Sequence, residues 1–345
     1  MDIKEITGYV DPASVPKKVL YTGCEIPALG IGTFGSDKYG AQEISEAVYG
    51  AVCGGYRLID CASVYQNEKE IGATLRKLFD DKVVTREELF ITGKVWNDMH
   101  GDGEVIRSCE QSLEDLGLDY LDLYLVHWPF PNYHAPGCGG DSRNPDSRPF
   151  FADEFMAVWR QCEQLVSDGK VRHIGMSNMT IPKLELVLPQ CRIQPAAIEM
   201  ELHPGFQQPE LFQYVQEHDI VPIGYCPLGS PSRPERDRTA EDVSDMEMPE
   251  IAEAAKAHNV HPAVICLKWA VQNGQIPIPF SVKPKQYLDN LKCVTEDPLT
   301  EEEMEKIRKA DKGCRLVKGQ VFLWPGAKSW KDLWDLDGHI KGWED

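Results

Sequence analysis

Short apolar runs alternate with amphipathic stretches along most of the chain. After an N-terminal arm the runs read "ALGIGT" (28–33), "RLIDCA" (57–62), "LFITGKVW" (89–96), "YLDLYLVHW" (120–128), "HIGMSN" (173–178), "AAIEMEL" (196–202), "VPIGYCPLG" (221–229) and "IPIPFS" (276–281). Between them lie segments such as "AQEISEAVYGAVCGG", "EKEIGATLRKLFDD" and "EVIRSCEQSLEDLG", apolar at i, i+3 and i+4 and closed by Gly or acid-rich turns. Each gap is long enough for a helix, so the pattern predicts a parallel sheet with helical crossovers. Eight such units fit a closed (β/α)8 TIM barrel better than an open doubly wound sheet. No G-x-G-x-x-G opens a helix after the first run, which counts against the open nucleotide-binding alternative.

Two stretches break the rhythm. "PFPNYHAPGCGGDSRNPDSRPF" (129–150) reads as a long loop after the fourth strand, and "SPSRPERDRTAEDVSDMEMP" (230–249) as an insertion after the seventh. The tail "FLWPGAKSWKDLWDLDGHIKGWED" holds four of the eight tryptophans and lacks helical periodicity throughout. The expected organisation is one domain over 1–345, with a barrel core of about 20–315 and a tail, 316–345, over the active-site face.

Composition narrows the class. A hydrophobic fraction of 42% and a charged fraction of 26% are those of a soluble globular protein. A net charge of −19 argues against nucleic-acid binding while leaving room for a local basic pocket. The N-terminus lacks a signal-peptide h-region, and no run approaches about 18 uninterrupted apolar residues, so no membrane partner is expected. The 11 cysteines are scattered without a C-x-x-C pair, as in reduced cytoplasmic proteins, and no metal site is expected.

In a (β/α)8 barrel the C-terminal strand ends converge on one face. Reading only that face yields Asp60 and Tyr65 after the second strand, Lys94 ending the third and His127 ending the fourth. It also yields Ser177 and Asn178 after the fifth, Glu199 in the sixth and Tyr225 in the seventh. Singly, a strand-end Asp more often caps a helix, a Lys snorkels and a His is a satisfied core residue. Together they point to a reaction. A phenol with a pKa of about 10 is a poor acid unless a cation stabilises its phenolate. Lys94 can be that cation, with Asp60 keeping it charged and His127 orienting a carbonyl toward the phenol. The set suits protonation of a carbonyl oxygen as hydride reaches its carbon.

"LIDCASVYQNE", "GKVW", "DYLDLYLVHWP", "HIGMSN", "ELHPGFQQ" and "YCPLGSP", in order over about residues 20 to 295, resemble the signatures of the aldo-keto reductase superfamily. The resemblance implies a (β/α)8 barrel that binds NAD(P)H extended, without a Rossmann domain. It makes Tyr65 the general acid, Lys94 and Asp60 its tuning pair and His127 the orienting residue. Gly32, Thr33 and Phe34 then lie beside the nicotinamide with Asp60, Ser177 and Asn178 bind its carboxamide, and Tyr225 stacks on the ring. Leu228 and Ser230 match pyrophosphate contacts, and Asp289 and Asn290 match residues at the adenine. Trp96 and Trp128 match aromatic walls of the substrate pocket. Phe34, Phe130, Asn132 and Tyr133 are further candidates there, with Trp324 and Trp330 from the tail.

Three positions depart from the family pattern. Many members have Gln where this chain has Glu199; a carboxylate accepts from an amide nitrogen but cannot donate to its oxygen. Where NADPH-preferring members place Lys and Arg around "IPKS", this chain has Phe280, Ser281 and Gln286, removing a charged clamp on a 2′-phosphate, with Lys283 and Lys285 as candidate substitutes. The usual acid of the cofactor flap is Ser232 here. The expected activity is reduction of an aldehyde or ketone, sugars and keto sugars included, by a cytoplasmic monomer or homodimer using both cofactors or leaning to NADH. The alternatives are a cofactor-sensing channel subunit and a barrel hydrolase or isomerase. The intact four residues count against the first, and the lack of a suitable carboxylate pair against the second.

Overall fold

The structure, a computed structural model, describes residues 8–35, 38–135, 138–231 and 233–342. Ser232 lies outside them. Eight parallel strands form one sheet in chain order: β3 (Ile31–Gly32), β4 (Leu58–Asp60), β5 (Phe90–Val95), β6 (Leu121–Val126), β7 (Val171–Ser177), β8 (Ala197–Glu201), β9 (Val221–Tyr225) and β10 (Ile276–Pro277). Every predicted run supplies one of them. Helices occupy the crossovers, among them α1 (Ala41–Gly54), α2 (Glu68–Asp80), α3 (Glu104–Leu116) and α4 (Ala152–Ser167), and a further helix, Pro284–Lys292, follows β10.

The first and last strands meet. Gly30 N donates to Pro277 O at 3.1 Å and Gly32 N to Pro279 O at 2.9 Å. Pro277 and Pro279 have no N–H to return, so this seam carries bonds in one direction only, while Ile278 N turns to Gly224 O on the other side at 3.1 Å. The seam is also tight. A Cβ on Gly30 would lie 2.7 Å from Leu58 and one on Gly32 would lie 3.0 Å from the Ile278 carbonyl.

Strand parity decides what enters the barrel. Ile59, Ile91, Tyr124, Val126, Ile198 and Met200 pack outward with the helices in the main core. Their neighbours Leu58, Phe90, Leu123, Leu125, Ala197 and Ile223 fill the barrel's lower interior. The same parity carries Asp60, Lys94 and Glu199 inward above that plug. The N-terminal arm contributes a hairpin that the apolar pattern does not reveal: β1 (Lys17–Val19) and β2 (Glu25–Pro27), antiparallel. Its strands are three residues long and half of their residues are exposed, too short for a periodic signal. Leu20 and Ile26 of this hairpin cap the lower interior.

Candidate active site

Asp60 ends β4 and Lys94 is the penultimate residue of the adjacent β5, both inside the barrel, and Lys94 is fully buried. Its ammonium donates to both Asp60 oxygens, at 2.7 and 2.6 Å, and to the Cys61 carbonyl at 3.2 Å. The Thr92 hydroxyl donates to Asp60 Oδ1 at 2.5 Å. Asp60 therefore meets a donor on each oxygen, the hydrogen bonding that offsets the burial of a polar group. Burial pushes Lys94 down. The charges of Asp60 and Glu199 outweigh it and hold the ammonium well above its ordinary range.

Tyr65 arrives on the single turn Ser63–Tyr65 after β4. The Ser63 hydroxyl pins that turn to β5 by donating to the Lys94 carbonyl at 3.1 Å. The phenol oxygen then sits 3.4 Å from Lys94 Nζ. The expected downward pull of Lys94 on the phenol is present but loses. Burial acts most strongly, Asp60 and Glu199 act with it, and the phenol is held above its ordinary value of 10.0. Burial thus dominates at the phenol, and the cation beside it also faces the carboxyl groups of Asp60 and Glu199.

His127 follows β6, with its ring edge-on to Tyr65 at 5.9 Å and to Trp96 at 5.0 Å. Burial, with the charge of Lys94, keeps its imidazole neutral, well below the ordinary 6.5. Its Nδ1 is buried without a hydrogen-bond partner among the described residues. Glu199, 2% exposed, brings Oε2 to 3.5 Å from Lys94 Nζ. Phe34, 40% exposed, leans over Tyr65 at 5.2 Å.

The other candidate residues divide by what already engages them. Thr33 donates to the Asp60 carbonyl at 2.7 Å. The Asn178 amide donates to the His127 carbonyl at 2.8 Å and to Ser177 Oγ at 3.2 Å, and its oxygen accepts from Tyr225 OH at 2.6 Å. These bonds bind β6, β7 and β9 into one rim. Leu228 packs partly into the core. Cys226, Gly229 and Ser230, with φ of 53°, 68° and 39°, wind the turn after β9 through the left-handed region that turns successive amides to one side. At the helix Pro284–Lys292, Lys283 stands exposed at the N-cap, Ser281 Oγ donates to Gln286 at 2.7 Å, and Asn290 is buried. Lys285 is engaged by Asp289 at 2.5 Å. Phe280 packs on Tyr39, ring centroids 5.6 Å apart.

Trp128 and Phe130 are buried, exposed by 5% and 3%, beneath the tail. Phe322 lies 4.6 Å from Trp128 and also reaches Trp96, at 5.9 Å, and His134, at 5.4 Å. Trp334 covers Trp128 from another side at 5.6 Å. Trp324 and Trp330 border this cluster, half-buried. Asn132 joins the first long loop to the tail, donating to the carbonyls of Arg148 and Phe322 at 2.8 and 2.9 Å, while Tyr133 is exposed. Phe322, Trp334 and His134 had no motif to mark them; "FLW" and "NYHAP" carry aromatic residues but no spacing.

Comparison with known proteins decides the family. The aldo/keto reductase family model matches residues 28–312. The chain belongs to that family. An aldo/keto reductase of Synechocystis sp. is 40% identical over 317 residues, 92% of this chain and 95% of its own. Aldose reductase B of Dictyostelium discoideum is 36% identical, with 84% and 90% covered. The crystal structure of a Bombyx mori aldo-keto reductase in complex with NADP superposes with a TM-score of 0.78 at 30% identity, covering 89% of this chain and 95% of that one. As an aldo/keto reductase the protein is an oxidoreductase of carbonyl compounds that uses a nicotinamide dinucleotide. Among the described residues no helix is long and apolar enough to cross a membrane.

Proposed function

We propose that Tyr65 donates the proton in reduction of a small aldehyde or ketone, with Lys94 and Asp60 setting its charge environment and His127 orienting the carbonyl. The observation that carries this reading is the buried chain from Asp60 through Lys94, 2.6 Å away, to the phenol, 3.4 Å further, beside a neutral imidazole. When bound, the nicotinamide would supply the hydride. Tyr65 supplies the proton to the carbonyl oxygen, and Lys94 stabilises the phenolate left behind. The neutral His127 can donate a hydrogen bond without bringing a second positive charge beside Lys94.

The rim fits such a cofactor. Glu199 Oε2 and His127 Nδ1 are buried atoms without hydrogen-bond partners among the described residues, as atoms that meet a bound polar group would be. The left-handed turn at Cys226–Ser230 offers amides for phosphate oxygens. Gly32, Thr33, Phe34, Ser177, Asn178, Glu199 and Tyr225 would hold the nicotinamide end, and Leu228 and Ser230 the phosphates. Residues of Phe280–Asn290 would hold the adenosine. Phe280 and Gln286 are uncharged and Lys285 is already paired, which supports use of both cofactors or a lean to NADH. Rings of Phe34, Trp96, Phe322 and His134 around the mouth support aromatic-walled recognition of carbonyl compounds, sugars among them. We also read the whole chain as one domain with its tail over this face, working in the cytoplasm as a monomer or homodimer.

The deciding experiment is Tyr65→Phe. It keeps the ring but removes the proton donor, so nucleotide binding, read by tryptophan quenching, should persist. Oxidation of NADPH or NADH with a generic aldehyde should fall by a factor of about 100 or more. Wild-type turnover in the variant would end the assignment.

A further inference from the structure

Resting on that assignment of Tyr65, we propose that Glu199 carries a proton in the resting enzyme and, by losing it as pH rises, controls how readily Tyr65 parts with its own. The geometry begins with donors. The Lys94 ammonium has three N–H groups and already serves four acceptors, the two Asp60 oxygens, the Cys61 carbonyl and, at longest range, the Tyr65 phenol, so none is left over for Glu199. Glu199 Oε2 lies at 3.5 Å with no hydrogen-bond partner among the described residues, in a side chain 2% exposed. An ionised carboxylate without a donor is costly to bury, and a proton is the cheaper solution.

Charge leads to the same place. Asp60 and Glu199 together set two negative charges against the single one of Lys94, and a proton on Glu199 makes the trio neutral. The groups around Glu199 on other elements do not supply the missing charge. His127 beyond β6 is neutral, Tyr225 on β9 is a phenol held above its ordinary value, and Ser177 opposite it on β7 is uncharged. Glu201, next on the same face of β8, is matched by His203 at 3.1 Å and Arg315 at 3.9 Å. Burial is the largest influence on Glu199, Asp60 reinforces it and Lys94 opposes it, leaving the carboxyl at about 8.

The step is a simple ionisation: the O–H bond of Glu199 breaks, the proton passes to water, and a carboxylate remains beside Lys94. A phenolate at Tyr65 would then be a third negative charge around one ammonium, so the phenol holds its proton more firmly. Glu199 thus acts through Tyr65 as a positioning residue for charge.

Infrared difference spectra of the wild-type protein between about pH 6 and pH 10 should show a protonated carboxyl band that disappears as pH rises and is missing in Glu199→Gln. Glu68→Gln is the control, because Glu68 is another buried acid pushed up, to about 7. The second readout is the alkaline limb of carbonyl reduction, which should move down by about one pH unit in Glu199→Gln, where no charge forms beside Lys94. A wild-type spectrum without a Glu199-dependent band overturns the proposal, and so do superimposable alkaline limbs. Should Glu199→Gln not fold, Glu199→Asp keeps the acid but changes its band, and a band that does not move overturns it equally. Full turnover in Tyr65→Phe would instead remove the assigned donor, while the infrared band would still report on Glu199.

Discussion

His203→Gln tests whether a buried cation holds the tail and the second insertion against the barrel. His203 is 1% exposed and lies between two carboxylates, Glu201 on β8, 3.1 Å away, and Asp245 in the insertion, 2.8 Å away. Glu201 also accepts from the amides of Leu316 and Val317, at 2.7 and 3.0 Å, where the tail begins. Burial pushes the imidazole down, but Asp245 and Glu201 outweigh it and raise it from 6.5 to about 9. Each unit is worth about 1.4 kcal/mol, so the gap corresponds to about 3 kcal/mol of folding free energy. That is a ceiling, because Nδ1 and the Asp245 carboxylate are close without being aligned for a hydrogen bond. The sign follows from the raised value: the contribution is complete below the unfolded value of 6.5 and disappears as pH rises through about 9. Urea unfolding followed by tryptophan fluorescence should show His203→Gln less stable than wild type by up to about 3 kcal/mol at pH 6, with the difference closing by about pH 10. A constant difference at both pH values would mean that His203 contributes packing alone, and the charge argument would fail.

Three further outcomes follow from the same structure. Lys94→Met should abolish reduction and cost about 3–5 kcal/mol in chemical denaturation, because it strands Asp60 as an unpaired buried carboxylate; a loss under about 1 kcal/mol would contradict that pairing. Truncation after Lys318 removes Phe322 and Trp334 from Trp128, so it should reorder relative rates across a panel of aldehydes, ketones and sugars while nucleotide affinity stays nearly intact; unchanged rates would refute a role for the tail in specificity. Catalytic efficiencies with NADH and NADPH should lie within about tenfold of each other, and a hundredfold NADPH preference, about 2.7 kcal/mol, would sink that reading.

The barrel was legible because it is built from repetition. Each strand announced itself as an apolar run and each crossover as a 3.6-residue period, and a strand-end motif marks the face on which its last side chain stands. Asp60, Tyr65, Lys94 and His127 could be picked out for that reason, as could their common rim. The hairpin Lys17–Pro27 could not: its strands are too short to show a period, and their partner is one another.

Charge balance and cover were decided only by the tertiary structure. Glu199 stands near Lys94 across the barrel interior, three strands away in the sheet, and nothing along the chain records that approach. The net upward pressure on Tyr65 comes first from its burial, with Asp60 and Glu199 adding to it, so the sequence could name the cation beside the phenol but not the burial and charge that oppose it. The tail behaves alike. Its tryptophans can be counted from the sequence, yet only the folded chain shows that Phe322 and Trp334 stack near Trp128 and that Glu201 holds the start of the tail at Leu316 and Val317. Local patterns determine elements through short-range sterics and burial. Electrostatic energies depend on distances between elements, and folding alone sets those distances.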